Sequence, residues 1–257
     1  MSFNSIKLRS LSLSVRLIAI VIVLFNFFSC NKENAPDCIQ SAGEFTTIKR
    51  SLEEFDVIEL RDYLQIELYD TTAYYVEITA PKNLVPDIST EVQDGRLKIV
   101  NHNTCNFVRS FKKRITIRIY APHFEDIQNF GTGDIKSVNT ISTSHFKIEN
   151  RNAAGKIELD LNCDTVTLAT HTGVCDIYAK GQSDVTNVFN QGLGIIDAQH
   201  LLSNNAFVNN SSINSVYVNT NGYFFALIEF SGNIYYSGIP NHIDRSIRGN
   251  GQLIKID

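Results

Sequence analysis

A period of about 20 residues runs from Ile127 to Phe230 of this 257-residue chain and limits what it can fold into more than any other feature. Ile148, Leu168, Val188, Val208 and Ile228 follow one another at steps of 20, and Ile127 lies 21 before the first of them. Asn150, Thr170, Asn190 and Asn210 keep the same register two places later. A second apolar series, Ile135, Ile157, Ile177, Ile196, Val216 and Ile234, interleaves at steps of 22, 20, 19, 20 and 18. Turns such as Gly131-Thr132-Gly133 and Gly192-Leu193-Gly194 precede most of its members. A fixed period of this length, with two short β-type segments and a turn in each unit, predicts a parallel β-solenoid. Each coil then contributes one strand near the 148-type position and one near the 157-type position. Phe146/Ile148, Val166/Leu168, Ala206/Val208 and Ala226/Ile228 should point inward, and Lys147, Thr167 and Leu227 outward. One coil buries too little to fold alone, so the array should be cooperative and its ends need caps.

Ahead of the repeat, the chain from Phe45 to Phe124 also reads as strands. Residues 56–60, 64–69, 75–79 and 115–120 alternate apolar with polar, and the last run stops at Pro122. Asp94-Gly95 between Val92 and Leu97 predicts a hairpin. No window carries a helical stripe. The chain is therefore all-β: a hairpin-rich N-terminal part covering one end of the solenoid, and a last short strand in 252–257 closing the other. Residues 45–257 are expected to form a single domain.

Residues 1–29 read as a targeting segment. Lys7, Arg9 and Arg16 precede an apolar run from Leu17 to Phe28, too short to span a bilayer as a helix but suited to a signal peptide. The run ends in Phe27-Phe28-Ser29-Cys30, which resembles the lipobox of bacterial lipoproteins. The resemblance implies that Cys30 becomes a lipidated N-terminus, with 30–44 as a polar tether. Removing residues 1–29 takes three of the 23 basic and none of the 27 acidic residues, leaving 20 against 27, a formal charge of −7. That balance argues against nucleic acid as a partner. Of the remaining cysteines, Cys38 and Cys105 lie in polar, loop-like sequence and are the pair expected to form a disulfide in an oxidising compartment. Cys163 and Cys175 are expected to be buried single thiols.

Signs of chemistry are sparse. Asp134, Asp176 and Asp197 lie near turns; a glycan-cleaving site needs two or three carboxylates converging on one face, and nothing supplies a third group in register with a pair of these. The six histidines stand apart, with no zinc or nucleophile motif, so neither metal nor cofactor is expected. The Asn150–Thr170–Asn190–Asn210 register reads as a structural ladder at the turn, with a row of ligand-binding amides as the other reading. Tyr178, Tyr217 and Tyr235 each follow an inward residue of the second series. They should face outward along one side, as a binding face for sugar rings or a protein, or as residues chosen for β-propensity.

The lipobox, the Phe55-Asp56-Val57-Ile58 lead, the Asp94-Gly95-Arg96-Leu97 turn and the Asn129-Phe130-Gly131-Thr132-Gly133-Asp134-Ile135 stretch together resemble the head GIN domain family, described as autotransporter-adhesin heads. The resemblance covers roughly 45–257. It implies a single-stranded right-handed β-helix and an exported, membrane-tethered protein, and it supplies no catalytic residue. The expected function is a non-catalytic adhesion, binding or scaffolding module of the cell envelope, in the outer membrane. Its partners are the membrane through the lipid anchor and a glycan or envelope protein. The alternatives are a polysaccharide lyase or hydrolase on the same scaffold, and a purely structural envelope spacer.

Overall fold

The computed structural model describes residues 42–103 and 114–256. The signal segment, Cys30 and the expected Cys38–Cys105 pair lie outside the described residues. Along the chain come β1 (Phe45–Ser51), β2 (Val57–Leu60), β3 (Gln65–Asp70), β4 (Tyr75–Pro81), a 3₁₀ turn (Val85–Asp87), β5 (Ile88–Gln93), β6 (Arg96–Asn101) and β7 (Thr116–Ala121). Then follow β8 (Asp126–Asn129), β9 (Ile135–Ser137), β10 (Ile141–Asn150), β11 (Ala153–Thr170), β12 (Gly173–Asn190) and β13 (Ile196–Asn210). The chain ends in β14 (Val216–Thr220), β15 (Tyr223–Ile228), β16 (Ile234–Ser237), β17 (His242–Ile247) and β18 (Leu253–Lys255). Among the described residues no helix is long and apolar enough to cross a membrane.

Parallel stacking of successive coils turns the periodicity into ladders, so the protein is a β-solenoid with coils of about 20 residues. On the first sheet, Ile58, Ile127, Ile148, Leu168, Val188, Val208 and Ala226 lie one above another, all buried. On the second, Ile117, Ile66, Ile135, Ile157, Ile177, Ile196, Val216 and Ile234 form an equivalent buried column. Each such fully buried aliphatic side chain contributes about 2 kcal/mol.

The register at Ile228 differs from expectation. Val208 pairs with Ala226, and Ile228 pairs with Asn210. That coil is two residues shorter, and a shift of two keeps a side chain on its own side of the strand. Ile228 is therefore buried as expected but fills an asparagine slot. Each central coil also carries three ladders instead of two. The third runs through Ile141, Leu161, Gly181 and Leu201, with Thr143, Cys163, Ser183, Ser203 and Thr220 beside it. Cys163 and Cys175 are free and buried, and burial pushes both thiols up, Cys175 to about 12.

The asparagines point inward. Asn129 Nδ2 donates to Asn150 Oδ1 at 2.9 Å, Asn150 Nδ2 reaches Thr170 Oγ1 at 3.4 Å, and Asn190 and Asn210 Nδ2 donate to the carbonyls of Gly194 and Asn214. All are buried, which leaves no room for the ligand-binding reading of this row.

The N-terminal part does more than cover an end. β6 and β2 extend the first sheet, β7 and β3 the second, and in space the β6–β7 coil precedes the β2–β3 coil. β4 then pairs antiparallel with β7 and β1 antiparallel with β4, closing the second sheet, while β5 edges the first. Asp94 and Gly95, at φ 51° and 71°, make the predicted hairpin turn between β5 and β6. At Gly133 a Cβ would lie 1.6 Å from the Leu64 carbonyl oxygen, so the predicted turn needs glycine for close approach. At the far end, Ile243, Arg245 and Ile247 occupy inward register positions over Phe224, Ala226 and Ile228 yet are exposed. β17 and β18 form the last coil.

Candidate functional site

The outer face of the second sheet holds one side chain per strand in a continuous column. From the N-terminal end it reads Lys49, Glu77, Arg118, Glu67, Lys136, Glu158, Tyr178, Asp197, Tyr217 and Tyr235. The first six alternate in sign. Arg118 Nε lies 2.9 Å from Glu67 Oε2, and Lys136 Nζ lies 3.0 Å from Glu67 Oε1. Burial would raise the Glu67 carboxyl, but the lysine and arginine on either side outweigh it and hold the group below the ordinary range.

Beside this charged run stands a stack that sequence reasoning missed. Tyr69 and Tyr75 lie on either side of Tyr120, with ring centroids 4.5 and 4.1 Å away, and Lys49 Nζ sits 3.4 Å from the Tyr75 centroid. Burial and Glu77, which accepts a hydrogen bond from Tyr120 at 3.2 Å, push the Tyr120 hydroxyl up to about 12. The stack was invisible along the chain because β4 and β7 meet antiparallel and β7 pairs with a strand 51 residues earlier.

Where the charges end, the column turns aromatic. The structure sets Tyr178, Tyr217 and Tyr235 in one outward register, each half-buried. It brings only two of them together: Tyr217 and Tyr235 stack at 4.8 Å and 10°. Tyr178 is set apart by Asp197 and carries Lys156 Nζ 4.9 Å from its ring centroid. A groove of about 400 Å³ opens beside it, lined by Lys136, Glu158, Asp160, Tyr178, Lys180, Asp197 and His200 among others. In its lining, Lys180 Nζ pairs with Asp160 Oδ2 of the neighbouring coil at 3.1 Å. Tyrosine rings beside carboxylates and amines offer stacking surface with polar groups at the rim, the equipment for holding a sugar ring or a peptide.

The three aspartates singled out for chemistry are engaged by backbone. Asp134 Oδ1 accepts from the Lys156 amide at 3.0 Å, and Asp176 Oδ1 from the Ile195 amide at 2.9 Å. Asn233 does the same for Gln252 at 2.9 Å, so this turn position repeats one structural task. Asp197 Oδ1 accepts from the Gln199 amide at 3.1 Å.

The histidines are less isolated than their spacing implied. His171 Nε2 lies 3.2 Å from Glu149 and His242 Nε2 3.1 Å from Asp244. His123 gathers Asp56 and Glu125 around it, the cluster among the described residues able to hold a metal ion. The readable signal was His123-Phe124-Glu125, two ligand types on one side of a strand-like run; Asp56 arrives only through coil stacking.

The family described as "Putative auto-transporter adhesin, head GIN domain" matches residues 54–240. The chain belongs to the head GIN domain family. No curated protein matches it. Among solved structures, one called a putative adhesin from Bacteroides fragilis is 24% identical, with a TM-score of 0.77 over 83% of this chain and 97% of that one. A putative adhesin from Parabacteroides merdae is 15% identical, with a TM-score of 0.62 over 84% and 98%. A protein from Parabacteroides distasonis called a putative lipid binding protein is 23% identical, with a TM-score of 0.60 over 84% and 98%. These likenesses establish the solenoid fold.

Proposed function

We propose that this head GIN protein is an exported, lipid-anchored envelope module that binds a glycan or envelope protein without catalysis. The observation that carries the reading is the outward column of Tyr178, Tyr217 and Tyr235 beside the Lys180–Asp160 groove. Aromatic platforms gain from stacking on a flat, partly apolar partner, while the flanking carboxylates and amines fix its orientation. Relatives named as adhesins are consistent with such a surface, and one named for lipid binding is a reminder that the scaffold does not set the ligand.

The lyase or hydrolase alternative loses support because Asp134, Asp176 and Asp197 each accept a backbone amide. Anchoring rests on Cys30 and the preceding apolar run. Globomycin treatment should make the unprocessed precursor accumulate, and normal processing would remove the anchor from the account. For the binding itself, the full chain is presented to a glycan array and to envelope fractions. Retention of a defined glycan or protein is the expected result. Release of oligosaccharide fragments would instead place the protein among carbohydrate-active enzymes.

A further inference from the structure

Coil stacking assembles a second constellation on the first sheet, far from the tyrosine column in sequence and function. Asp56 lies just before β2, and His123 and Glu125 just before β8, which is the neighbour of β2 in the stack. The Asp126 amide donates to the Asp56 carbonyl at 3.2 Å, which ties the two segments together. Asp56 Oδ1 stands 3.3 Å from His123 Nε2, although 67 residues separate them in the chain. One carboxylate oxygen of Glu125 joins them, and the three donor atoms all lie within 4.8 Å of one another. The Tyr74 hydroxyl, which donates to Glu54, also lies 3.3 Å from the same nitrogen. Phe55 and Phe124, each 1% exposed, are buried immediately beside Asp56 and between His123 and Glu125, so the donors project from anchored backbone. Among the described residues no lysine or arginine forms an ion pair with Glu54, Asp56 or Glu125; the basic partner of Asp56 is His123.

The donor set names what this cluster can hold. One imidazole and two carboxylates, brought within 4.8 Å of one another by coil stacking, are ligand types of zinc-class sites. We propose that Asp56, His123 and Glu125 form a divalent transition-metal site of the zinc class, its fourth position open to water. The imidazole donor disfavours calcium and magnesium, which take oxygen ligands. Because the ligands converge only after β2 and β8 have stacked, the metal would bind the folded chain alone and clamp the N-terminal coil to the repeat.

The test uses the full chain purified without a histidine tag, stripped with EDTA, dialysed, and titrated with zinc sulfate by calorimetry with metal counted by mass spectrometry. One zinc per chain is expected, with a Tm rise of about 5–10 °C at 100-fold excess over Kd. Neither calcium nor magnesium at the same concentration should reproduce it. His123→Ala should weaken zinc more than about 100-fold, beyond the loss expected from an outer hydrogen-bond partner. His171→Ala, at the separate pair with Glu149, should leave it unchanged. Glu125→Gln, at an exposed position outside the packed core, should also weaken zinc and decides the matter should the alanine variant fold poorly. Absence of stoichiometric zinc in the wild type would overturn the site, as would unchanged affinity in Glu125→Gln or equal binding of calcium.

Discussion

The two halves of the outward column on the second sheet share a backbone and differ in what their side chains have left to offer. From Lys49 to Glu158 opposite charges alternate, and Glu67 is clamped between Arg118 and Lys136. From Tyr178 to Tyr235 the column offers rings, with Asp197 as its one charge and Tyr217 stacked on Tyr235. The inward neighbours barely change across this boundary: Ile117, Ile66, Ile135 and Ile157 on one side, Ile177, Ile196, Val216 and Ile234 on the other. The difference teaches that the coil repeat sets the scaffold while outward positions vary independently. One half sets charge against charge, and the proposed binding half presents aromatic rings outward.

Substitutions can break this contrast in order of effect. Val188→Asp places an unpaired charge between Leu168 and Val208, and should cost about 4 kcal/mol or more. Urea unfolding should show both halves lost in one transition; survival of either half alone would contradict cooperative stacking. Asn150→Ala leaves Asn129 Nδ2 without its acceptor inside the core and should cost about 2 kcal/mol by the same measurement.

Glu67→Gln should cost about 1 kcal/mol at neutral pH and flatten the acid limb of stability. Because the folded carboxyl lies below its ordinary value of 4.5, its contribution is present above that value and drains away as pH falls through the lower folded value. Urea midpoints at pH 7 and pH 3 should therefore differ less in the variant than in the wild type. The smallest stability change is expected at the open end, where exposed Arg245 stands in an inward position over Ala226. An inward charge is one way to keep a free strand edge from pairing. Arg245→Ile should leave the unfolding free energy within about 1 kcal/mol of wild type yet drive concentration-dependent self-association in sedimentation velocity.

The inward columns were legible in the sequence because burial imposes a period, and even the two-residue slip at Ile228 kept its side. The third ladder was harder to read, since buried Ile141, Leu161 and Leu201 are interrupted by Gly181 and alternate with Cys163, Ser183, Ser203 and Thr220, which are small or polar and blur the hydrophobic signal. The charge alternation was hidden for a different reason: β7 stacks on β3, β4 pairs antiparallel with β7, and β1 pairs antiparallel with β4, so no spacing along the chain relates Glu77 to Arg118 or Arg118 to Glu67. Tyr217 and Tyr235 could be placed together by counting coils. Tyr69, Tyr75 and Tyr120 could not, and neither could the approach of Asp56 to His123.

The most direct measurement compares glycan-array and envelope-fraction binding by two triple variants of the full chain. One replaces Tyr178, Tyr217 and Tyr235 with alanine, and the other replaces Tyr69, Tyr75 and Tyr120. Both remove three tyrosines from the same sheet, so a general effect of lost aromatic surface would weaken both alike. The account predicts that binding disappears in the first and persists in the second. Equal loss in both, or loss only in the second, would contradict the division of the column into a charged half and a binding half.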